Sequence, residues 1–252
     1  MSILKRKVVL VILKIYAISD LHLSFIETPD PDNWQPELQY KPMSEINGEW
    51  ESHALRIYHS WRKIVGPDDV VLVPGDISWA MRLEQAYPDF NFLRLLPGLI
   101  ICVQGNHDYW WQSISKTRKS LPPNMRLIRN DHFSVGGTVI CGTRGWLCPG
   151  SDCFQPEDMK IYLRELGRLE KSLASAGSSK QEIIVMMHYM PTNEKHEYSG
   201  FIELLQKYGV RKVVYGHLHA GACRFRLPDQ AWEISFHLVS ADYLNFAPRL
   251  LI

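Results

Sequence analysis

Apolar residues in this chain fall into two rhythms. The first is a set of short continuous runs: "KIYAIS" (14–19), "VVLV" (70–73), "LIICV" (99–103), "EIIVMM" (182–187) and "RKVVY" (211–215). Their length and β-branched content predict strands. The second is a three-to-four spacing between them. "ESHALRIYHSWRKIV" puts Leu55, Tyr58, Trp61 and Val65 on one helical face, and "IYLRELGRLEKSL" does so with Tyr162, Leu166, Leu169 and Leu173. Both predict amphipathic helices lying on a sheet.

From about residue 126 the segments shorten and are broken by Gly, Asn and Pro: "MRLIRN", "HFSVGG", "TVICGTRG", then "ACRFRL" and "WEISFHLVS". These read as antiparallel meanders. A βαβ half followed by a partly antiparallel half predicts an α/β sandwich with a mixed sheet. The Pro-rich polar stretch 26–50 reads as a surface loop, and residues 1–13 as an N-terminal extension or strand. No repeat or linker divides the chain, so 1–252 is expected to be one domain.

Composition narrows the function classes. With 28 Lys and Arg against 27 Asp and Glu the net charge is +1, so no global field draws in a polyanion, and broad nucleic-acid binding is disfavoured. No run is long enough for a membrane span. The five cysteines (Cys102, Cys141, Cys148, Cys153, Cys223) are odd in number and scattered, as expected of reduced thiols in the cytoplasm. Lys14 interrupts the apolar N-terminal run, and no small-residue cleavage site precedes the first expected strand, which argues against a secretory signal.

Each predicted strand ends in polar residues. "KIYAIS" runs into Asp20-Leu21-His22, "VVLVP" into Gly75-Asp76, and "LIICVQ" into Gly105-Asn106-His107-Asp108. "EIIVMM" runs into His188, and "RKVVY" into Gly216-His217-Leu218-His219. Strand carboxyl ends in an open α/β sheet share one rim, so these polar residues are expected to converge. Oxygen and imidazole donors without thiolate suit Mn, Fe, Zn or Ni, and a carboxylate can bridge two ions. Asp20/His22 and His217/His219 are each expected to point one way from an extended segment, with glycines 75, 105 and 216 easing sharp turns.

The ordered blocks D-x-H, G-D, G-N-H-D, H and G-H-x-H, spanning 20–219, resemble the calcineurin-like metallophosphoesterases. "GDISWAM", "GNHDYWW" and "GTRGW" are similar to a bacterial branch described only as predicted phosphohydrolases. The resemblance implies a two-sheet α/β sandwich of mixed sheets with helices outside, and two divalent ions with manganese first in order. It implies that Asp20, His22 and His219 hold one ion, that Asn106, His188 and His217 hold the other, and that Asp76 bridges them. His107 would be the catalytic acid, steadied by Asp108. The fourth block departs from the family's frequent His-x-Pro-Pro, reading His188-Tyr189-Met190-Pro191, with His196 the nearest substitute ligand.

Such a centre is expected to hydrolyse a phosphomonoester or phosphodiester, in a small molecule or nucleotide, by attack of a hydroxide shared between the ions. A hydrolase of a non-phosphorus ester or amide, and a scaffold on the same fold, are the alternatives. Arg144, freed by flanking glycines, is the candidate phosphate contact, with a structural ion pair as its other reading. Trp110 and Trp111, with Tyr109, read as core packing; His53, His59, His132 and His237 read as structural. The terminal "SADYLNFAPRLLI" reads as an edge strand and tail without chemistry.

Overall fold

Strands covered on both faces must be apolar at every position, and this is how the runs are used. The computed structural model of the chain describes residues 13–35, 38–177 and 181–252. The expectation for residues 1–13 therefore lies, except for Leu13, outside the described residues.

One sheet contains β1 (Ile15–Ala17), β2 (Val70–Pro74), β3 (Leu99–Val103) and β4 (Met125–Leu127), all parallel, with β11 (Arg249–Leu250) antiparallel on the β1 edge. The other contains β5 (Phe133–Val135), β6 (Thr138–Thr143), β7 (Glu182–Met187), β8 (Lys212–Tyr215), β9 (Gln230–Ala231) and β10 (Ile234–Leu238), in the order β5-β6-β7-β8-β10-β9. Strands β6, β7, β8 and β10 are parallel, and the edge strands β5 and β9 are antiparallel to their neighbours.

Alternation along each strand divides the core into three slabs. Ile15, Ala17, Val70, Leu72, Ile101 and Val103 of the first sheet meet Ile140, Ile184, Met186 and Val214 of the second. The intervening residues Tyr16, Val71, Val73, Ile100 and Cys102 point outward onto α1 (His53–Ile64) and α2 (Tyr87–Arg94). Val139, Cys141, Val185, Val213 and Tyr215 point outward from the second sheet onto α4 (Asp158–Ser175) and α5 (Gly200–Lys207). A short α3 (Ile114–Lys119) precedes β4. The result is the expected two-sheet sandwich with helices outside.

Several local expectations need correcting. "MRLIRN" pairs parallel to β3 rather than entering a meander, and "ACRFRL" is a 3-10 turn, Ala220–Phe225. Helix α1 buries His53, Ala54, Ile57 and Trp61; of the expected face, Trp61 and Val65 are in the core and Tyr58 packs against it, while Leu55 is outside it. Trp61 sets that rotation: its indole is wholly buried, and Nε1 donates to the Pro97 carbonyl at 2.9 Å. The 26–50 stretch, described except for residues 36 and 37, is exposed over much of its length but sends Met43 and Trp50 into the core. All five cysteines are free. Among the described residues no helix is long and apolar enough to cross a membrane.

One buried acid ties this scaffold together. Asp89 of α2 accepts from Phe25 N–H at 2.9 Å and from the Ser78 hydroxyl, and burial pushes its carboxyl up to about 7. A raised acid holds its proton more tightly folded than unfolded. Its contribution is therefore complete below the usual value of 3.8 and is lost as pH rises through about 7. Asp89→Asn should remove that loss. With chelator present, thermal unfolding midpoints should rise relative to the unsubstituted protein as pH increases from 4 to 7, then keep a constant offset. A pH-independent difference would contradict this reading.

Candidate metal centre

Because both sheets have parallel centres, the carboxyl ends of β1, β2, β3, β6, β7, β8 and β10 open on one rim. The sheets are laced together there. Ser19 bridges Ser240, with Ser19 N–H donating to Val239 O at 2.8 Å and Ala241 N–H donating to Ser19 O at 3.0 Å. Asp20 N–H donates to Gly75 O and His22 N–H to Asp76 O, each at 3.0 Å.

Four of the seven candidate ligands have left-handed backbone, while His219 keeps the extended backbone expected of it. Asp20 has φ 59°, His22 44°, Asp76 51° and His217 69°. Non-glycine residues adopt this region at a cost and cluster there at functional sites. Asp20 and His22 thus converge through a tight turn rather than through strand alternation. Gly75 has φ 95° and eases a turn as expected, but Gly105 serves a different need. A Cβ there would stand 2.0 Å from Asp76 Oδ1, so Gly105 lets the third strand's loop close onto the Asp76 carboxylate.

Two overlapping donor groups result. Asp20, His22 and His219 bring their ligand atoms within 4.8 Å of one another, and so do Asp20, Asp76 and His188. Asp76 Oδ2 lies 3.9 Å from His22 Nε2 and 3.5 Å from His188 Nε2, between an imidazole of each group. Asp20 Oδ1 lies 3.3 Å from His219 Nε2, and the Asp20 carboxylate also accepts from the Ser19 hydroxyl and from His217 N–H at 3.2 Å. Asn106 Oδ1 is 2.6 Å from His188 Nε2. The His217 ring stands beside these groups, 5.0 Å from the His188 ring and packed on Tyr189 at 4.0 Å. His196 is elsewhere, its Nε2 against Phe225 O at 3.0 Å.

The donor chemistry fits a cation. Asp20 and Asp76 are 0% and 2% exposed, so two carboxylates share a dry pocket. Burial, then the Asp108 and Asp20 carboxylates, push Asp76 well above the usual range. Burial would raise Asp20 also, but His219, then His188 and His22, hold it far below. Burial pushes His22 well down, His188 to about 4 and His217 to about 3, so these imidazoles are neutral and keep a lone pair. His188 Nδ1 faces the Pro74 carbonyl at 3.0 Å and must carry its proton, so the lone pair of Nε2 faces the oxygens of Asn106 and Asp76. His22 Nδ1 is buried with no partner among the described residues. Two buried carboxylates among imidazoles, one of which keeps an unpartnered ring nitrogen, are a donor set that a divalent cation would satisfy.

Three residues near the centre differ from expectation or were not foreseen. Asp108 does not touch the His107 ring. Its carboxylate accepts from the N–H groups of Ile77 at 2.9 Å, Ser78 at 3.2 Å and Gly105 at 2.8 Å, and from Trp110 Nε1 at 2.9 Å. It pins the Asp76 loop to the Asn106 loop. His107 donates its backbone N–H to Asp76 Oδ1 at 2.8 Å, and its ring packs on Trp79 at 4.2 Å. Burial and then Lys41, whose ammonium lies 3.2 Å above the Trp79 ring, lower the His107 imidazole.

Arg144 takes the structural reading. Its Nη2 is 3.3 Å from the buried Glu165, which also holds Arg168 at 2.6 Å, and its guanidinium lies 4.5 Å over Trp146. Trp110 and Trp111 are core, and Tyr109 is exposed. His53 is buried, with Nε2 at 3.0 Å from Leu21 O.

Asp242, in the terminal segment read as lacking chemistry, is the residue the sequence reading missed. It accepts from His219 Nδ1 at 2.8 Å and from Ala220 N–H at 2.9 Å, fixing His219 so that Nε2 faces Asp20. Against the effect of burial, Asp20 and Asp242 raise His219 to about 10. A carboxylate behind a ligating imidazole orients it, and its loss typically costs about 10- to 100-fold in metal affinity. Asp242→Ala should weaken Mn binding by that factor in equilibrium dialysis without unfolding the chain. An unchanged affinity would remove Asp242 from the centre.

Comparisons with known proteins bear on the family and the fold. A family model described as calcineurin-like phosphoesterase matches residues 13–221. No curated protein matches the chain. Among solved structures, a protein of unknown function from Aquifex aeolicus is 15% identical with a TM-score of 0.51, covering 94% of this chain and 95% of its own. A protein of Thermus thermophilus, TT1561, is 12% identical with a TM-score of 0.48, covering 95% and 98%. GAP50, the anchor in the inner membrane complex of Plasmodium, is 13% identical with a TM-score of 0.49, covering 91% and 72%. At such identities the likeness to the Aquifex aeolicus protein speaks for the fold alone.

Proposed function

The chain belongs to the calcineurin-like phosphoesterase family, and from that premise we propose that it is a metal-dependent phosphoesterase acting on a phosphomonoester or phosphodiester. The observation that carries this reading is the pair of buried carboxylates, Asp20 and Asp76, gathered with His22, His188 and His219 into two overlapping donor groups in which His22 Nδ1 has no partner among the described residues. A scaffold would have no reason to keep so costly a set of acceptors.

In this reading Asp20, His22 and His219 would hold one divalent ion, and Asn106, His188 and His217 the other. Asp76, which approaches both His22 and His188, would serve both. Manganese heads the candidate metals, followed by iron, zinc and nickel. When bound, such ions would draw charge from phosphoryl oxygens and make water nucleophilic near neutral pH. The chain's own residues do the rest. The P–O bond to the leaving group breaks as a new P–O bond forms to water, and the departing oxygen needs a proton. The His107 imidazole, about half buried beside Asp76 and outside the two donor groups, is the group assigned to deliver it. Lys41, whose ammonium lies over the Trp79 ring, supplies a cation near His107. Asp108 acts by holding the two loops, and Arg144, engaged by Glu165, is left out of the substrate contacts.

Aryl phosphates should be hydrolysed by the Mn-loaded protein, and carboxyl esters of the same phenol should not. Preference for the carboxyl ester would overturn the phosphoryl assignment, and inertness toward both would return the chain to a binding role.

A further inference from the structure

Next to the candidate centre lies a cavity of about 340 Å³ that metal binding does not use. Its walls are Trp146, Leu147, Tyr189, Met190, Leu218 and Phe225, and His217 forms its inner end. We infer that this cavity is a substrate subsite that takes an uncharged, apolar organic group attached to the phosphoryl group, the size of an aryl ring or a mid-length alkyl chain. The inference rests on the phosphoesterase reading for the position of the phosphoryl group, and it adds the chemical class of what is esterified to it.

Three observations support it. The cavity adjoins the centre: His217 lines it, and Tyr189, which directly follows His188, packs its ring on His217 at 4.0 Å, so one wall serves both spaces. The wall is held in place rather than collapsed. Trp146 is anchored through Nε1 to Asp158 at 2.8 Å, covered on one side by Arg144 at 4.5 Å, and packed against Tyr189 at 5.1 Å. A preformed apolar wall binds without an ordering cost.

The charge around the cavity selects the ligand. Among the described residues no Lys or Arg lines it, while Asp152 and Glu194 do. Lys195 is drawn to Asp152 at 2.8 Å, outside the lining. A second phosphate or an acidic peptide would meet carboxylates there, whereas hydrocarbon would meet half-buried Trp146, Leu147 and Leu218.

The test uses non-hydrolysable phosphonates with the Mn-loaded, full-length protein, read by calorimetry so that no turnover is needed. Methyl-, butyl-, octyl- and phenylphosphonate share one headgroup and differ only in apolar area. Affinity should rise about fourfold per buried methylene between the methyl and butyl compounds and level off when the cavity is filled. Phenylphosphonate falls near the butyl compound if the cavity takes rings as readily as chains, and near the methyl compound if it takes chains alone. Leu147→Glu, at a half-buried position, should flatten the series and leave methylphosphonate binding unchanged; Leu147→Gln serves if the charged variant does not fold. A flat series in the unsubstituted protein, a steep one that survives in both variants, or failure of every phosphonate to bind overturns the subsite. Turnover of p-nitrophenyl phosphate and p-nitrophenyl methyl phosphate, one monoester and one diester, separates the two readings. A steep binding series without any turnover leaves the subsite standing and removes the phosphoesterase, and turnover with a flat series does the reverse.

Discussion

Asp76→Asn is expected to lower phosphoester turnover by more than about 10³-fold, beyond the usual effect of deleting a single transition-state donor, and yet to stabilise the metal-free protein. The two effects have one cause. Asp76 is buried beside the carboxylates of Asp108 and Asp20, all of which disfavour its charge. For a raised acid, the stabilising contribution is present below 3.8 and lost as pH rises. At neutral pH with chelator the charge is therefore a liability, and asparagine removes it while keeping an oxygen to accept from His107 N–H. With Mn present the order reverses, because the charge is what the ions bind. Thermal unfolding with chelator should give the variant the higher midpoint, and the rise on adding Mn should be much smaller than in the unsubstituted protein. Equal Mn-induced shifts, or retained turnover, would show that Asp76 is not the shared ligand.

His107→Ala is expected to leave the bound metal unchanged and to slow hydrolysis of alkyl phosphates by roughly 10²- to 10⁴-fold, the range for losing a general acid. On p-nitrophenyl phosphate the loss should be far smaller, since that leaving group is stable as an anion. The contrast isolates the role of the imidazole, because a group that merely positioned substrate would matter equally for both. Since burial and Lys41 lower this imidazole in the metal-free protein, Lys41→Met should raise it, which can be read by the His107 NMR titration. Equal impairment on aryl and alkyl substrates would reassign His107 to positioning, and loss of metal would make it a ligand.

The fold was legible because the strands are covered on both faces, so that "VVLVP" and "LIICV" had to be apolar throughout. The site was legible for a related reason. Polar residues placed immediately after buried parallel strands can only lie on the shared rim, which brought Asp20, His22, Asp76, His188 and His219 together. Less legible was how they get there. Alternation suggested an extended Asp20-Leu21-His22, whereas the chain turns through positive φ at both ligands, a conformation that no pattern of side chains announces. Asp108 was misread because adjacency in sequence was taken for contact; its carboxylate turns away from His107 to collect donors from two loops. Arg144 depended on Glu165, a buried charge in the middle of a helix that follows it well along the chain. Asp242 was within reach of the same strand-end rule, applied to the strand Ile234–Leu238. It was passed over because it lies past the family's blocks, and past the matched span 13–221.

The central claim is that this rim holds a pair of divalent ions, and counting them tests it most directly. Protein stripped with chelator, reconstituted with Mn and dialysed to equilibrium should retain two equivalents per chain by elemental analysis. Retention of one equivalent would contradict the dinuclear centre, and retention of none would contradict the metal centre altogether.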